Sequence, residues 1–364
     1  MKPLSVMIST PCDVHAIAIS WAAREMGANT CFLDSSHFIS KNAALALGKS
    51  SSVEMDGINS GEGCRLWFRK GASNKTIDAA PEDYNFVLGE WQDFERGVLG
   101  LAESLNQFTW VNKLSSLNSS ENKAVQLLEA IRSGLNVPKT LITANYNKIL
   151  SFVEDIGSVV IKPSVPHTWI SSDGAARNVM YARKLDFNQI SKFSTESITQ
   201  APMFYQQCID KIADIRVTVI GGEIFSTKMT YDVNKGVDFR EFQHEDEFFY
   251  ESYSIDHDTK VKLLNLLKKF ELRVVSADFL LDKKGELHFI DLNPSGAFLF
   301  MEKFVPELKV LGAAVREFTF NQNINMVGAP SLSEFLSSPE HVNSLKHGKN
   351  KMARKIANRG VTFL

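Results

Sequence analysis

VVSADFLLDKKGELHFIDLNPSG, residues 274–296, is the stretch whose reading decides the fold. Two apolar, β-branched runs flank a Lys284-Gly285 turn, so the segment reads as a β-hairpin. Asp278 lies within the first run, and Asp291 and Asn293 end the second. Alternate residues of a strand share a face, so Asp291 and Asn293 project together, and the hairpin brings Asp278 alongside them. Two carboxylates and an amide oxygen make a hard, all-oxygen donor set of the kind Mg²⁺ uses when it bridges phosphates. For either aspartate alone, a strand-end residue capping a turn is the plainer alternative.

Cations that could meet such an ion's phosphates lie upstream. Lys162 follows the apolar run VVI and precedes Pro163, which biases it to an extended conformation. A lysine on an inward-facing strand needs a counter-charge, either a nucleotide phosphate or a structural carboxylate. Lys123 opens the helix after Ser119-Ser120, beside a positive helix N-terminus, and its plainer reading is a solvated surface lysine. Arg216 in DIRVTV and Arg240 in VDFR carry forks suited to phosphate or carboxylate, or to a cross-strand partner. Glu223 and Lys228 read as ordinary hairpin-face charges. The sequence has no GxxxxGK[ST], no GxGxxG after a strand, no GxSxG and no HExxH.

The 364 residues suggest about two and a half domains. A composition of 44% hydrophobic and 23% charged residues is that of a globular chain and excludes a disordered, collagenous or disulfide-stapled protein. A net charge of −2 gives no bulk attraction to nucleic acid or an anionic membrane, so neither is expected as a partner. The four cysteines are far apart, without a CxxC pair, which fits a reducing compartment. No secretory signal and no apolar stretch of roughly 18 residues is present, and a cytoplasmic location is expected.

Along the chain, LSVMI (4–8), a helix to about Gly27, and NTCFLD (29–34) open an α/β layer. Residues 48–63 read as a loop, CRLWFRK (64–70) as a strand ending in Arg69 and Lys70, and 84–105 as a helix leading to FTWVN (108–112). LSSLNSS (114–120) reads as a polar connector. A helix follows over 121–133, then strands in 136–143 and 157–164, and a second connector at 191–202. MFYQQCI (203–209) and residues 214–229 are β-rich, with a turn at Gly221-Gly222. The helix over 259–270 puts Val261, Leu264, Leu267 and Phe270 on one face, with Asp256 or Asp258 as cap. From Lys346 onward the chain is distinctly basic, through Lys349, Lys351, Arg354, Lys355 and Arg359.

Taken in order, NKAVQLLEAIRSGLNVPKTLIT, VVIKPS, FYQQCIDKIADIRVTVIGGEIFSTKM, VDFR and SADFLLD with FIDLNPSGAFLFMEK resemble the ATP-grasp superfamily. The subgroup they are most similar to is the microviridin-type peptide maturases, the graspetide synthetases. DVHAIAI, FLDSSHF, LWFRK and WVN resemble that subgroup's N-terminal domain, so the resemblance covers most of residues 1–325. It implies an α/β (α+β) chain: a pre-ATP-grasp domain over 1–115, a central subdomain over 116–200, a C-terminal subdomain with the metal site over 201–330, and a basic tail over 331–364.

By that resemblance Lys123 and Lys162 contact ATP phosphates, and the hinge Gln206-Gln207-Cys208-Ile209 holds adenine through its backbone. Asp278, Asp291 and Asn293 hold Mg²⁺, while Arg216 and Arg240 face the transferred phosphate and the acyl substrate. The implied reaction activates Asp or Glu side chains of a precursor peptide as acyl phosphates. A hydroxyl or amine then closes an ester or amide, with ADP and phosphate released. Addition of a free amino acid and non-catalytic nucleotide binding remain alternatives. A homodimer is expected, with the precursor's leader docking by strand addition along residues 216–229. Three departures stand out. Gln207 replaces a commonly acidic residue, Asp291 a commoner Glu, and the loop Ser171-Ser172-Asp173-Gly174, read as a mobile lid, is poor in glycine.

Overall fold

A computed structural model of the chain describes residues 4–36, 42–55, 58, 64–71, 78–106, 108–164, 168–170, 177–243, 247–320, 322 and 324–346. The Ser171–Gly174 loop and the basic residues beyond Lys346 lie outside this set. Among the described residues no helix is long and apolar enough to cross a membrane.

Three larger sheets and two two-stranded pairs are formed by the described residues. The first is parallel and contains β1 (Ser5–Ser9), β2 (Thr30–Asp34), β3 (Arg65–Phe68) and β4 (Thr109–Trp110), in the order β2-β1-β3-β4. Helix α1 (Val14–Glu25) crosses from β1 to β2, and α2 (Tyr84–Ser104) from β3 to β4. Asp13 caps α1, accepting from His15 N, and Gly27 leaves it with φ +74°. Residues 48–63 are not all loop, because Ser52–Glu54 pairs with Ala44–Ala46.

The polar run 114–120 is a helix, α3 (Leu114–Ser120), rather than a connector. Its position Lys113 gives no side-chain cap, and the Glu103 carboxylate takes that role, accepting from Leu114 N at 2.8 Å and Ser115 N at 3.3 Å. A cap supplied from another helix leaves no local sequence signal. Helix α4 (Lys123–Arg132) follows, with Asn122 as its cap.

The central sheet is antiparallel: β5 (Thr140–Thr143), β6 (Ser158–Lys162), β7 (Arg183–Asp186) and β8 (Met203–Gln207) lie in the order β7-β6-β8-β5. Helix α5 (Tyr146–Ile156), which the composition did not signal, buries Ile149 and Val153 against it.

The third sheet is antiparallel, in the order β11-β10-β9-β12-β13, from β9 (Lys211–Ile220), β10 (Glu223–Thr230), β11 (Phe249–Ser252), β12 (Val274–Asp282) and β13 (Leu287–Asn293). The expected hairpin turns are present, at Gly221 and Gly222 with φ +59° and +95°, and at Gly285 with φ +83°. β9 is flanked by β10 and β12, and Thr227–Thr230 of β10 pairs with β11, so within 216–229 strand addition is left the outer edge of residues 223–225, which no strand pairs among the described residues. Beyond it the edge on that side belongs to β11.

Helix α6 (His257–Lys269) is capped by Asp256 but buries Leu263, Leu266 and Leu267, while Val261 and Leu264 are exposed. Of the face expected from the sequence, Leu267 and Phe270 are buried and Val261 and Leu264 are not, because the adjacent leucine pairs 263–264 and 266–267 leave the stripe's centre ambiguous. At its far end the chain returns to the first sheet. Helices α7 (Leu299–Phe304), α8 (Val310–Phe318) and α9 (Leu332–Leu336) share one core with α1, including Ile19, Trp21, Phe298, Phe318 and Phe335. The N-terminal sheet is thereby tied to the end of the segment that follows the 274–296 hairpin.

Candidate active site

The hairpin register brings the acidic residues together. Asp278 on β12 is the Cα partner of Asp291 on β13, and a bulge follows between Asp278 and Phe279. Asn293 Nδ2 lies 3.0 Å from Asp291 Oδ2 and 3.5 Å from Asp278 Oδ2. Turning the amide end over end exchanges its nitrogen and oxygen, so three oxygens then face one point. That donor set fits Mg²⁺. Burial, with the Asp291 carboxylate adding, pushes the Asp278 carboxyl up to about 6 against the pull of Arg216. Arg216 Nε stands 2.9 Å from Asp278 Oδ1, one strand away on β9. The sheet thus sets a cation and two anions side by side, and a divalent ion would remove their remaining repulsion.

Beside this hairpin is a cavity of about 490 Å³, within the range of cofactor sites. Lys123, Lys162, Arg240, Asp291, Asn293 and Phe204 are among its lining residues. Lys123, at the first turn of α4, forms an ion pair with Asp291 and reaches Leu292 O at 3.3 Å. Lys162, at the end of β6, donates to Gln206 Oε1 at 3.1 Å and Ile290 O at 3.4 Å. Burial lowers its ammonium below the usual lysine range, and Lys123 adds to that, while Asp291 opposes it. A lysine short of counter-charge in a cavity is a ready partner for a phosphate.

The hinge is committed to the sheet. Gln207 N donates to Lys139 O at 2.8 Å and Cys208 N to Ser158 O at 3.1 Å, while Ile209 O accepts from Lys211 N. Gln206 turns its side chain inward, bonding Thr140 Oγ1 at 2.9 Å as well as Lys162.

Arg240 sits in a short 3₁₀ turn, Phe239–Glu241, not in a strand. Asp238 holds its fork, with 2.7 Å to Nε and 2.5 Å to Nη2, and also accepts from Ala182 N at 3.0 Å. Burial alone would raise the Asp238 carboxyl, but Arg240 holds it below the usual carboxylate range. Asp238 therefore joins the cavity's arginine to the segment just before β7. The aspartate of DIRVTV has a different task. Asp214 is buried and bonded to Lys211 at 2.6 Å and Tyr231 Oη at 2.9 Å, behind Arg216.

Two contributors escaped the sequence reading. Gln126 on α4 clasps the backbone of Leu292, donating to its carbonyl at 2.8 Å and accepting from its amide at 3.1 Å. It thereby fixes the chain between Asp291 and Asn293. Asp238 could have been found from its position two residues before Arg240, a spacing suited to capping a turn.

Among known proteins, residues 119–306, more than half of the chain, match the RimK-like ATP-grasp domain. A search of curated proteins found no match. Solved structures match at nearly full length. An RiPP-associated ATP-grasp ligase of Chryseobacterium gregarium, in complex with ADP and a leader and core peptide, aligns with a TM-score of 0.74 at 19% identity, over 90% of this chain and 99% of that one. The macrocyclase MdnC from Microcystis aeruginosa MRC, bound with precursor peptide MdnA, aligns with a TM-score of 0.71 at 19% identity, over 85% and 97%. At this identity the likeness establishes the shared fold, including the N-terminal α/β layer. With Lys123, Lys162, Arg240, Asp291 and Asn293 lining one cavity, Arg216 paired with Asp278 beside it, and more than half its length matching, the chain belongs to the RimK-like ATP-grasp family.

Proposed function

We propose that the protein is an ADP-forming ligase that activates Asp or Glu side chains of a ribosomal precursor peptide and closes ω-ester or ω-amide crosslinks within it. The observation carrying this reading is the single cavity in which Lys123, Lys162 and Arg240 face Asp291 and Asn293. Mg²⁺, held by Asp278, Asp291 and Asn293, would supply charge neutralisation on the phosphates. Lys162 and Lys123 bind and orient those phosphates, and Arg240, held by Asp238, meets the developing charge.

A peptide carboxylate oxygen attacks the γ-phosphorus, the bond to the ADP oxygen breaks, and an acyl phosphate forms. A hydroxyl or amine of the same peptide then attacks the acyl carbon, and phosphate leaves, its proton going to solvent. The net change in the peptide is the loss of one water. Positioning and charge carry the rate, since a carboxylate is already an adequate nucleophile.

The peptide reading is supported by the nearly full-length likeness to peptide-bound ligases, N-terminal layer included. Incubation with ATP, Mg²⁺ and an Asp/Glu- and Ser/Thr/Lys-rich candidate peptide tests it by intact mass. Loss of one water mass per ADP formed is the expected result. A gain equal to an amino acid residue would instead assign the free amino-acid ligase. The same reading extends to a cytoplasmic homodimer, which sedimentation would test.

A further inference from the structure

Beyond Asn293 the chain makes a tight turn. Gly296 N donates to Asn293 O at 3.2 Å, and a Cβ at 296 would come within 2.9 Å of Asn293 Cβ, so no other residue fits. The turn's outer carbonyls are taken by an arginine from another sheet. Arg69, just past β3, donates to Ser295 O at 2.5 Å and Gly296 O at 3.1 Å. Its guanidinium also faces the Phe298 ring at 5.6 Å. Asp13 Oδ2 lies 3.6 Å from Arg69 Nε, and Asp13 is itself fixed by Ser9 Oγ at 2.9 Å and by capping α1. Next to it, His15 Nε2 accepts from Phe298 N at 2.9 Å and Leu299 N at 3.2 Å.

Four backbone groups of residues 295–299 are thus held by two side chains of the N-terminal layer, His15 on α1 and Arg69 just past β3. The place is a topological one. β2 and β3 lie on opposite sides of β1, so the carboxyl ends of β1 and β3 flank the point where the winding reverses. Open α/β sheets take their ligands in that crevice. Here the protein's own metal-motif turn occupies it.

An arginine buried only for stability is a poor bargain, since apolar packing often serves as well. Arg69 is 6% exposed; Asp13 balances its charge at 3.6 Å, but its hydrogen bonds go to two loop carbonyls. That arrangement fixes a loop's position.

We propose that Asp13, His15 and Arg69 are positioning residues for the metal end of the site. They set the Asn293–Leu299 turn and, through it, the Asn293 side chain against Asp278 and Asp291. The inference rests on those three residues being the ion's ligands, but not on the identity of the acyl substrate.

The test uses Mn²⁺ as probe, titrated into the full chain with ADP present and followed by electron paramagnetic resonance, with melting temperature and metal-free ADP affinity recorded alongside. Arg69→Lys, which offers one ammonium where a fork is needed, and His15→Leu, which removes the acceptor, should each weaken Mn²⁺ binding by about 10- to 100-fold. ADP affinity measured without metal should stay within about twofold of the parent, since neither residue touches the cavity's lysines. His15→Gln keeps an acceptor oxygen and should recover most of the affinity. Mn²⁺ binding unchanged in both Arg69→Lys and His15→Leu, whatever the melting temperature does, would overturn the proposal. No Mn²⁺ binding by the parent protein with ADP would overturn it together with the metal assignment. Failure of the peptide assay alone would leave the Mn²⁺ result standing.

Discussion

Lys123 and Asp291 are paired across the cavity although 168 residues separate them, so the acidic hairpin's carboxylate is already engaged by the ammonium that opens α4. In the proposed function a nucleotide's phosphates would compete for that ammonium and a divalent ion for the carboxylate. Nucleotide and metal should therefore assist each other's binding. In Asp291→Asn, turnover should fall at least about 100-fold, because a ligand and a phosphate-side partner are lost together. ADP binding measured without metal should change by less than about tenfold. An Asp291→Asn protein with near-normal turnover would remove the hairpin from the chemistry.

Asp238 should act through Arg240. Asp238→Asn keeps an acceptor for Ala182 N but loses the charge that aligns the guanidinium, so kcat should drop about tenfold while ADP affinity holds within about twofold. Steady-state and equilibrium titrations of the variant check this split.

The pH dependence of folding should carry a His15 signature. Burial, with Arg69 next, lowers the imidazole to about 3, against the pull of Asp13. Lys70 adds to the lowering. An unfolded histidine titrates near ~6.5, so between these values the unfolded chain binds more protons. Its contribution to stability is therefore complete above about 6.5 and is lost as pH falls toward about 3, at up to about 1.4 kcal/mol per pH unit. The lowered carboxyl of Asp13 works in the same direction at the acid end. Urea midpoints at a mildly acid and a neutral pH should lie closer together in His15→Gln than in the parent protein.

Gln126 should be a stability residue with a local effect on the site. Gln126→Leu leaves the buried amide of Leu292 without its side-chain partner and its carbonyl with Lys123 alone, at about 1–3 kcal/mol for an unsatisfied group. Denaturant unfolding measures the loss, and Mn²⁺ affinity should fall with it.

The acidic hairpin and the lysine before Pro163 were legible because each sets a charge inside an apolar strand pattern, whereas Lys123, which alone reads as a solvated helix-start lysine, stood out only through the family resemblance. Turn glycines at 221, 222 and 285 were legible for the same kind of reason, since each needs a positive φ. What was hidden depends on partners distant in sequence. Helix α3 takes its cap from Glu103, so seven mostly polar residues looked like a connector. Adjacent leucines on α6 blurred the stripe, so Leu267 and Phe270 were placed inward correctly and Val261 and Leu264 were not. Arg69 was visible at the end of its strand, but its engagement with Ser295 and Gly296 arises only when the first and third sheets meet.

The most direct measurement follows an oxygen atom. A precursor peptide with heavy oxygen in its Asp and Glu carboxylates is incubated with the protein, ATP and Mg²⁺, and the released phosphate is weighed. Activation through an acyl phosphate predicts one heavy oxygen in phosphate for each water mass lost by the peptide. Crosslinked peptide accompanied by unlabelled phosphate would contradict the account, as would ATP consumed without any change in the peptide.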